Sequence, residues 1–152
     1  MELQPDEVFR IEHAVQRRLL DYWHDVDRNR ARTARSFYTA DSIYEMVDLR
    51  MEGPDAVQRY YDYRESRGER LVRHVVSNLR VEVLARDRAR LDGVLCVYAA
   101  DGVPVLPSAP PIMVADTECE FVRPDGRPWQ FRLHRLIALF KGGVPVLVPP
   151  AS

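Results

Sequence analysis

The chain has little cysteine, a single lysine and no long apolar segment, and each shortage excludes a class of protein. Cys96 and Cys119 are the only cysteines among 152 residues, and they lack a CxxC spacing. A disulfide framework and a CxxC-type zinc site are therefore excluded. No apolar run approaches the roughly 18 residues that a membrane helix requires, and the first six residues have no apolar segment typical of a secretory signal. These features predict a cytoplasmic protein.

Charge is nearly balanced, with 22 basic and 23 acidic residues. A balanced surface has no general attraction for nucleic acid or for anionic lipid, so we expect neither as a partner. Lys141 is the only lysine, and this arginine bias is typical of GC-rich bacterial genomes. Nucleotide-binding, zinc-protease and serine-hydrolase signatures are absent, and no metal-ligand spacing occurs. We therefore expect no cofactor and no metal.

Apolar spacing predicts helices first and strands afterwards. One stripe of apolar residues recurs at intervals of three and four and predicts a long amphipathic helix. The stripe consists of Val8, Ile11, Val15, Leu19, Tyr22 and Val26. A short helix (30–37), a turn (39–42), a strand with its hairpin partner (43–52) and a helix beginning at Gly53-Pro54 follow. The second half predicts strands at 71–84, 90–99, 113–123 and 129–140, with a loop containing four prolines at 103–111.

Helices followed by antiparallel strands predict an α+β domain over residues 1–141, with the N-terminal helices packed in a strongly curved, mostly antiparallel sheet. Residues 142–152, rich in glycine and proline, predict an irregular tail. A sheet bent around helices makes a cone-shaped barrel with an open end. Such a cavity is a usual site for a small apolar ligand.

One predicted strand carries polar side chains among valines. His74 and Asn78 are four residues apart and would share a face with Val72 and Val76. His74 is therefore either a hydrogen-bonded core histidine or part of a pocket floor. Asparagine is disfavoured within strands, so Asn78 either points at solvent or makes a required polar contact.

Three segments resemble, in their order, the SnoaL-like group of the nuclear transport factor 2-like superfamily. They are residues 20–27 followed by 37–44, the sequence Gly53-Pro54-Asp55-Ala56-Val57, and residues 73–78 followed by 129–135. The resemblance covers residues 8–140 and implies the cone-shaped α+β fold. That fold is shared by dehydratases, isomerases, polyketide cyclases, epoxide hydrolases and noncatalytic proteins, so the site must decide the function.

The resemblance also implies a catalytic pair. In scytalone-dehydratase-like members, an aspartate at the end of the first helix and a histidine on the long strand handle protons, and by position they match Asp27 and His74. Those members have a second histidine on a later strand. The corresponding strand of this chain carries acidic residues at positions 116, 118 and 120 instead. We hypothesise that Asp27 orients His74, which exchanges a proton with an apolar, oxygenated substrate. The predicted binding residues are Tyr22, Tyr44 and Asn78 for substrate oxygens, and Phe37, Met46, Trp129 and Phe131 as apolar walls.

Simpler roles stay open at this point. Asp27 would also serve as a cap for the segment 29–37, and Tyr22 belongs to the apolar helix stripe. His134 and Arg135 leave opposite faces of the last strand. We expect Arg135 to pair with an acid and His134 to face outward.

A noncatalytic function is the alternative. Residues 73–81 also resemble the small (beta) subunit of aromatic-ring-hydroxylating dioxygenases, which shares this fold and is usually structural. The chain would then bind a ligand or support another subunit without chemistry of its own. The resemblance implies, for either function, a homodimer formed through the sheet.

Overall fold

Two helices and a short 3₁₀ helix pack against one six-stranded sheet. The computed structural model describes residues 2–151. In chain order the elements are α1 (Pro5–Arg28), a 3₁₀ helix (Ala34–Phe37), β1 (Tyr38–Met46), β2 (Leu49–Glu52), α2 (Pro54–Ser66), β3 (Arg70–Ala85), β4 (Arg88–Asp101), β5 (Met113–Val122) and β6 (Gln130–Lys141). Residues 1 and 152, which the predicted domain and tail include, lie outside the described residues.

The sheet has the order β2-β1-β6-β5-β4-β3. β1 runs parallel to β6, and the other neighbouring pairs are antiparallel. The sheet curls without closing, and the helices pack within it. The prediction of a cone-shaped α+β fold with a mostly antiparallel sheet is confirmed.

The first helix forms where the apolar stripe predicts it. Gln4 is the N-cap, and the Glu7 side chain accepts a hydrogen bond from its backbone N–H at 2.9 Å. Pro5 occupies the first turn. The buried side chains of the stripe face the sheet, and they are Ile11, Val15, Leu19, Tyr22 and Val26. No helix within residues 2–151 is long and apolar enough to cross a membrane. The cytoplasmic location stays a prediction.

The structure corrects two local predictions between α1 and β1. A helix over residues 30–37 is interrupted because Arg30 and Ala31 adopt φ of 54° and 57°, and only the 3₁₀ segment remains helical. Residues 39–42 are not a turn but part of β1. The ladder with β6 shifts register between Tyr38 and Ile43, and this bulge accommodates the polar residues within a strand.

Candidate functional site

The dyad of Asp27 and His74 joins the end of α1 to β3. Oδ1 of Asp27 lies 2.6 Å from Nδ1 of His74. Oδ2 accepts a hydrogen bond from the backbone N–H of His74 at 2.8 Å. Each side chain has 8% of its surface exposed. The carboxylate therefore fixes the histidine at two points, the ring and the backbone.

The capping role that the sequence left open for Asp27 belongs to Asp25. Its Oδ1 accepts hydrogen bonds from Asn29 Nδ2 and Thr33 Oγ1, both at 2.7 Å. Its Oδ2 accepts from the backbone N–H of Thr33 at 3.2 Å. These bonds close the turn that follows α1. Asp27 is thereby left to bind His74.

The surroundings of His74 favour a neutral imidazole that carries its proton on Nδ1. An ionised carboxylate only accepts hydrogen bonds, so the contact with Asp27 places the proton on Nδ1 and leaves Nε2 as the basic nitrogen. Burial lowers the pKa of His74 from its usual value, although the hydrogen bond and charge of Asp27 act in the opposite direction. Trp23 stacks on the ring with centroids 4.0 Å apart. These contacts hold the His74 ring in one orientation.

A cavity of about 400 Å³ lies between α2 and the concave face of the sheet. His74 forms part of its wall, together with apolar side chains that include Val72, Met113 and Leu136. Residues 142–146, which follow β6 and form no helix or strand, complete the lining. The volume falls within the range of small-molecule pockets.

Three tyrosines border this cavity, namely Tyr44 from β1 and Tyr60 and Tyr61 from α2. Tyr22 of α1 does not line it, but its hydroxyl lies 2.6 Å from the Tyr61 hydroxyl. Burial raises the pKa of all four phenols, which therefore stay neutral and able to donate. Of the two tyrosines predicted to position substrate oxygens, Tyr44 reaches the cavity, and Tyr22 reaches it only through Tyr61.

Of the four predicted apolar walls, Met46 lines the cavity and the other three do not. Phe37, Trp129 and Phe131 are buried in the core. Phe37 and Phe131 pack edge-on against the ring of Tyr22, with centroids 5.4 and 5.1 Å away. The prediction that these three residues wall the cavity is wrong, because they are buried in the core instead.

Asn78 lies outside the pocket, so its predicted place beside His74 is wrong. The ladder between β3 and β4 shifts register between Ser77 and Arg80, and Asn78 adopts φ of 54°. Asparagine tolerates this left-handed conformation better than most residues. The bulge interrupts the alternation of faces, and the Asn78 side chain is exposed.

His134 faces the core, and the expectation that it faces outward is wrong. A register shift in the β5–β6 ladder inserts Arg132, so Phe131 and His134, three residues apart, both point inward. Nδ1 of His134 lies 2.8 Å from the Tyr38 hydroxyl, and its ring stacks on Phe131 with centroids 4.3 Å apart. Burial lowers the pKa of His134 well below its usual value. A second, neutral imidazole therefore lies under the site, with its centroid 5.6 Å from that of Trp23.

Arg135 lies on the opposite face of β6 and pairs with two acids, as expected. Its guanidinium is 2.9 Å from Glu45 and 3.4 Å from Glu118. Among residues 2–151, no group of three His, Cys, Asp or Glu side chains is placed to hold a metal ion. The expectations of no metal and no cofactor stay predictions. The candidate site consists of the dyad, the three cavity tyrosines and an apolar wall.

Comparison with models of protein families identifies the family of this chain. The family model of the SnoaL-like domain matches residues 8–135. The chain belongs to the SnoaL-like domain family. No curated protein matches this SnoaL-like domain.

Solved structures share its fold at low sequence identity. A candidate scytalone dehydratase from Novosphingobium aromaticivorans is 18% identical, with a TM-score of 0.78 over 96% of this chain and 97% of the other. A hexachlorocyclohexane dehydrochlorinase (LinA) type 2 is 16% identical, with a TM-score of 0.69 over 98% and 100%. A candidate aromatic ring hydroxylase from the same Novosphingobium species is 13% identical, with a TM-score of 0.70 over 91% and 93%. Likeness at this identity shows the fold alone.

Proposed function

We propose that this SnoaL-like domain is a cofactor-free acid–base enzyme of the dehydratase, isomerase or polyketide-cyclase type. Its substrate is an apolar, oxygenated small molecule that binds in the cavity. The observation that carries the proposal is the dyad itself: a histidine held by a buried carboxylate forms part of a cavity wall. Such an arrangement matches the geometry required of a general base.

The chemistry begins at Nε2 of His74, which takes a proton from a C–H group next to a carbonyl or a leaving group. The imidazolium that forms is stabilised by the Asp27 carboxylate and by the face of Trp23. Tyr44 and Tyr61 donate hydrogen bonds to the oxygen on which negative charge develops. The proton then returns to another carbon in an isomerisation or leaves with hydroxide as water in a dehydration.

The unfilled cavity favours this proposal over the structural-subunit alternative, which expects a filled cone. A protein that only supports a partner has no need for a basic nitrogen beside a pocket of about 400 Å³. The names of two structural neighbours, a candidate dehydratase and a dehydrochlorinase, denote eliminations. The third neighbour is named as a candidate ring hydroxylase. The noncatalytic alternative is therefore one of the outcomes of the test that follows.

Base-catalysed elimination of 5-nitrobenzisoxazole tests the proposal without knowledge of the natural substrate. In this reaction a base removes the C3 proton, the N–O bond breaks, and a coloured cyanophenolate forms. We expect the protein to accelerate it by about 10²-fold over free imidazole at the same concentration. Binding of the probe without acceleration would instead support the noncatalytic alternative.

We also propose a homodimer formed through the outer face of the sheet. An apolar row crosses four strands on this face, formed by Val75, Cys96, Val114 and Phe140, which pair in register. Val75 and Phe140 are 51% and 70% exposed. A contiguous exposed apolar row is typical of a protein–protein contact, and a second copy would present the same row in a two-fold arrangement.

Replacing Phe140 with lysine is expected to convert the dimer into a monomer, because the charge would be buried unpaired in the contact. Light scattering after size-exclusion chromatography measures the mass. Phe9→Lys is the matched control, since Phe9 is 69% exposed on α1, away from the sheet row. A monomeric wild-type protein, or a dimer that survives Phe140→Lys, contradicts this proposal.

A further inference from the structure

Four arginines are half-buried within residues 2–151, and three of them have clear partners. Arg18 donates to the carbonyls of Trp129 and Ser36. Arg70 pairs with Asp101 at 2.8 Å and donates to the Pro145 carbonyl at 3.0 Å. Arg135 pairs with Glu45 and Glu118. These contacts compensate each guanidinium for the water that it loses on burial.

The fourth, Arg64 in the last turn of α2, lines the cavity. In the described part of the chain, no carboxylate lies within 4.0 Å of its guanidinium, and no backbone carbonyl is within hydrogen-bond distance. Its Cζ lies 5.0 Å from the centroid of the Tyr61 ring. The Tyr60 phenol is its polar neighbour: burial raises the pKa of that phenol, and the charge of Arg64 lowers it.

Arg64 and His74 act on the same enclosed space. Both line the cavity, and the charge of Arg64 adds to burial in lowering the pKa of His74. A second cation is therefore disfavoured there, and an anion is favoured. A half-buried arginine without an acid leaves a planar fork of donors for a ligand.

We propose that Arg64 binds the carboxylate of an apolar organic acid, so that the substrate of this site carries an anionic group at one end. The apolar body would then occupy the space between Val72, Met113 and Leu136, with its reacting carbon toward His74. This inference rests on the proposed function for the reaction, but the binding preference stands independently of it. A guanidinium fork pairs with a carboxylate through two parallel hydrogen bonds, which gives orientation as well as affinity.

A matched pair of probes tests the inference: 2-naphthoate, which is anionic, and 2-naphthamide, which has nearly the same shape and is neutral. We expect calorimetric titration to show naphthoate binding at least about tenfold more tightly, since a hydrogen bond between two charged groups is stronger than one to a neutral amide. Arg64→Met is expected to abolish the preference. Arg64→Gln, which keeps a polar end, is the second variant if the methionine variant does not fold, and the same loss is expected.

Two control variants locate the effect. Arg59→Met removes an exposed charge from the same helix and is expected to keep the preference. Lys141 also lines the cavity and has no ion pair within residues 2–151. Lys141→Met is likewise expected to keep the preference for naphthoate. Equal binding of the two probes to the wild type, or a preference that survives removal of Arg64, overturns the inference. A normal preference in a protein without elimination activity overturns the proposed function and leaves this inference standing.

Discussion

Replacing His74 with glutamine is expected to lower kcat/KM for 5-nitrobenzisoxazole by about 10²- to 10⁴-fold, the usual contribution of a general base. Glutamine is polar and of similar length, and its amide still donates a hydrogen bond to the Asp27 carboxylate. It has no basic nitrogen at the position of Nε2. The loss therefore reports the missing base rather than a missing contact.

Initial rates at pH 7, together with thermal unfolding of each variant, measure this effect. His24→Gln is the matched control, because His24 is an exposed histidine of the same protein, next to Trp23 in α1. It is expected to retain the wild-type rate. If His74→Gln folds and keeps most of the activity, His74 is not the base.

The order of elements predicted the fold, and the resemblance to SnoaL-like proteins implied the pair of Asp27 and His74. The apolar stripe of α1 fixes which side of the helix meets the sheet, and Asp27 follows Val26 at the end of that stripe. His74 lies near the start of the strand that packs on α1. The existence and type of a long, strongly periodic element are what a sequence pattern predicts best. The structure contains the contact between Asp27 and His74 that the resemblance implied, whereas their catalytic role remains a proposal.

Two of the incorrectly placed residues, Asn78 and His134, share one physical cause, which is the β-bulge. Strict alternation of faces does not hold for either, because each lies at or beside a register shift. One extra residue in a strand reverses the faces of those that follow. Gly93 offered a weak local signal, because a Cβ at that position would come within 2.6 Å of the Leu79 side chain beside the bulge.

The curved sheet predicted a cavity, but the residues that line it were beyond the sequence. Its lining combines α2, five strands and the irregular residues 142–146, and no local pattern shows how these meet. Tyr61 and Arg64 are three residues apart in α2 and so lie on one side of that helix. No sequence pattern shows that they line the cavity, because the cavity is completed by residues 142–146 of the tail.

Replacing Asp27 with asparagine is expected to lower the plateau of kcat/KM by a similar 10²- to 10⁴-fold. The single carbonyl oxygen of asparagine can accept from the backbone N–H of His74, and its NH₂ group then faces Nδ1. Nδ1 must accept that hydrogen bond, so the imidazole proton moves to Nε2, where the base is needed. The opposite amide orientation would set two donors, the asparagine NH₂ and the His74 backbone N–H, against each other.

The direction of the pH effect follows from the same contacts. Burial lowers the pKa of His74, and Asp27 opposes that change through its hydrogen bond and its charge. Protonation of His74 removes the base, so activity falls as the pH drops through the pKa of the folded protein. Without Asp27 the opposing effect disappears, and the pKa is expected to fall further. The acid limb of the variant therefore lies at lower pH than that of the wild type.

The pH dependence of kcat/KM for 5-nitrobenzisoxazole, measured for the wild type and Asp27→Asn, tests the role of the dyad most directly. For the wild type we expect a plateau at neutral pH and an acid limb with a midpoint below about 6.5, the ordinary value for histidine. For the variant we expect a plateau lower by about 10²-fold or more and a limb displaced to lower pH. Equal plateaus and equal midpoints in the two proteins would contradict the catalytic role of Asp27 and His74.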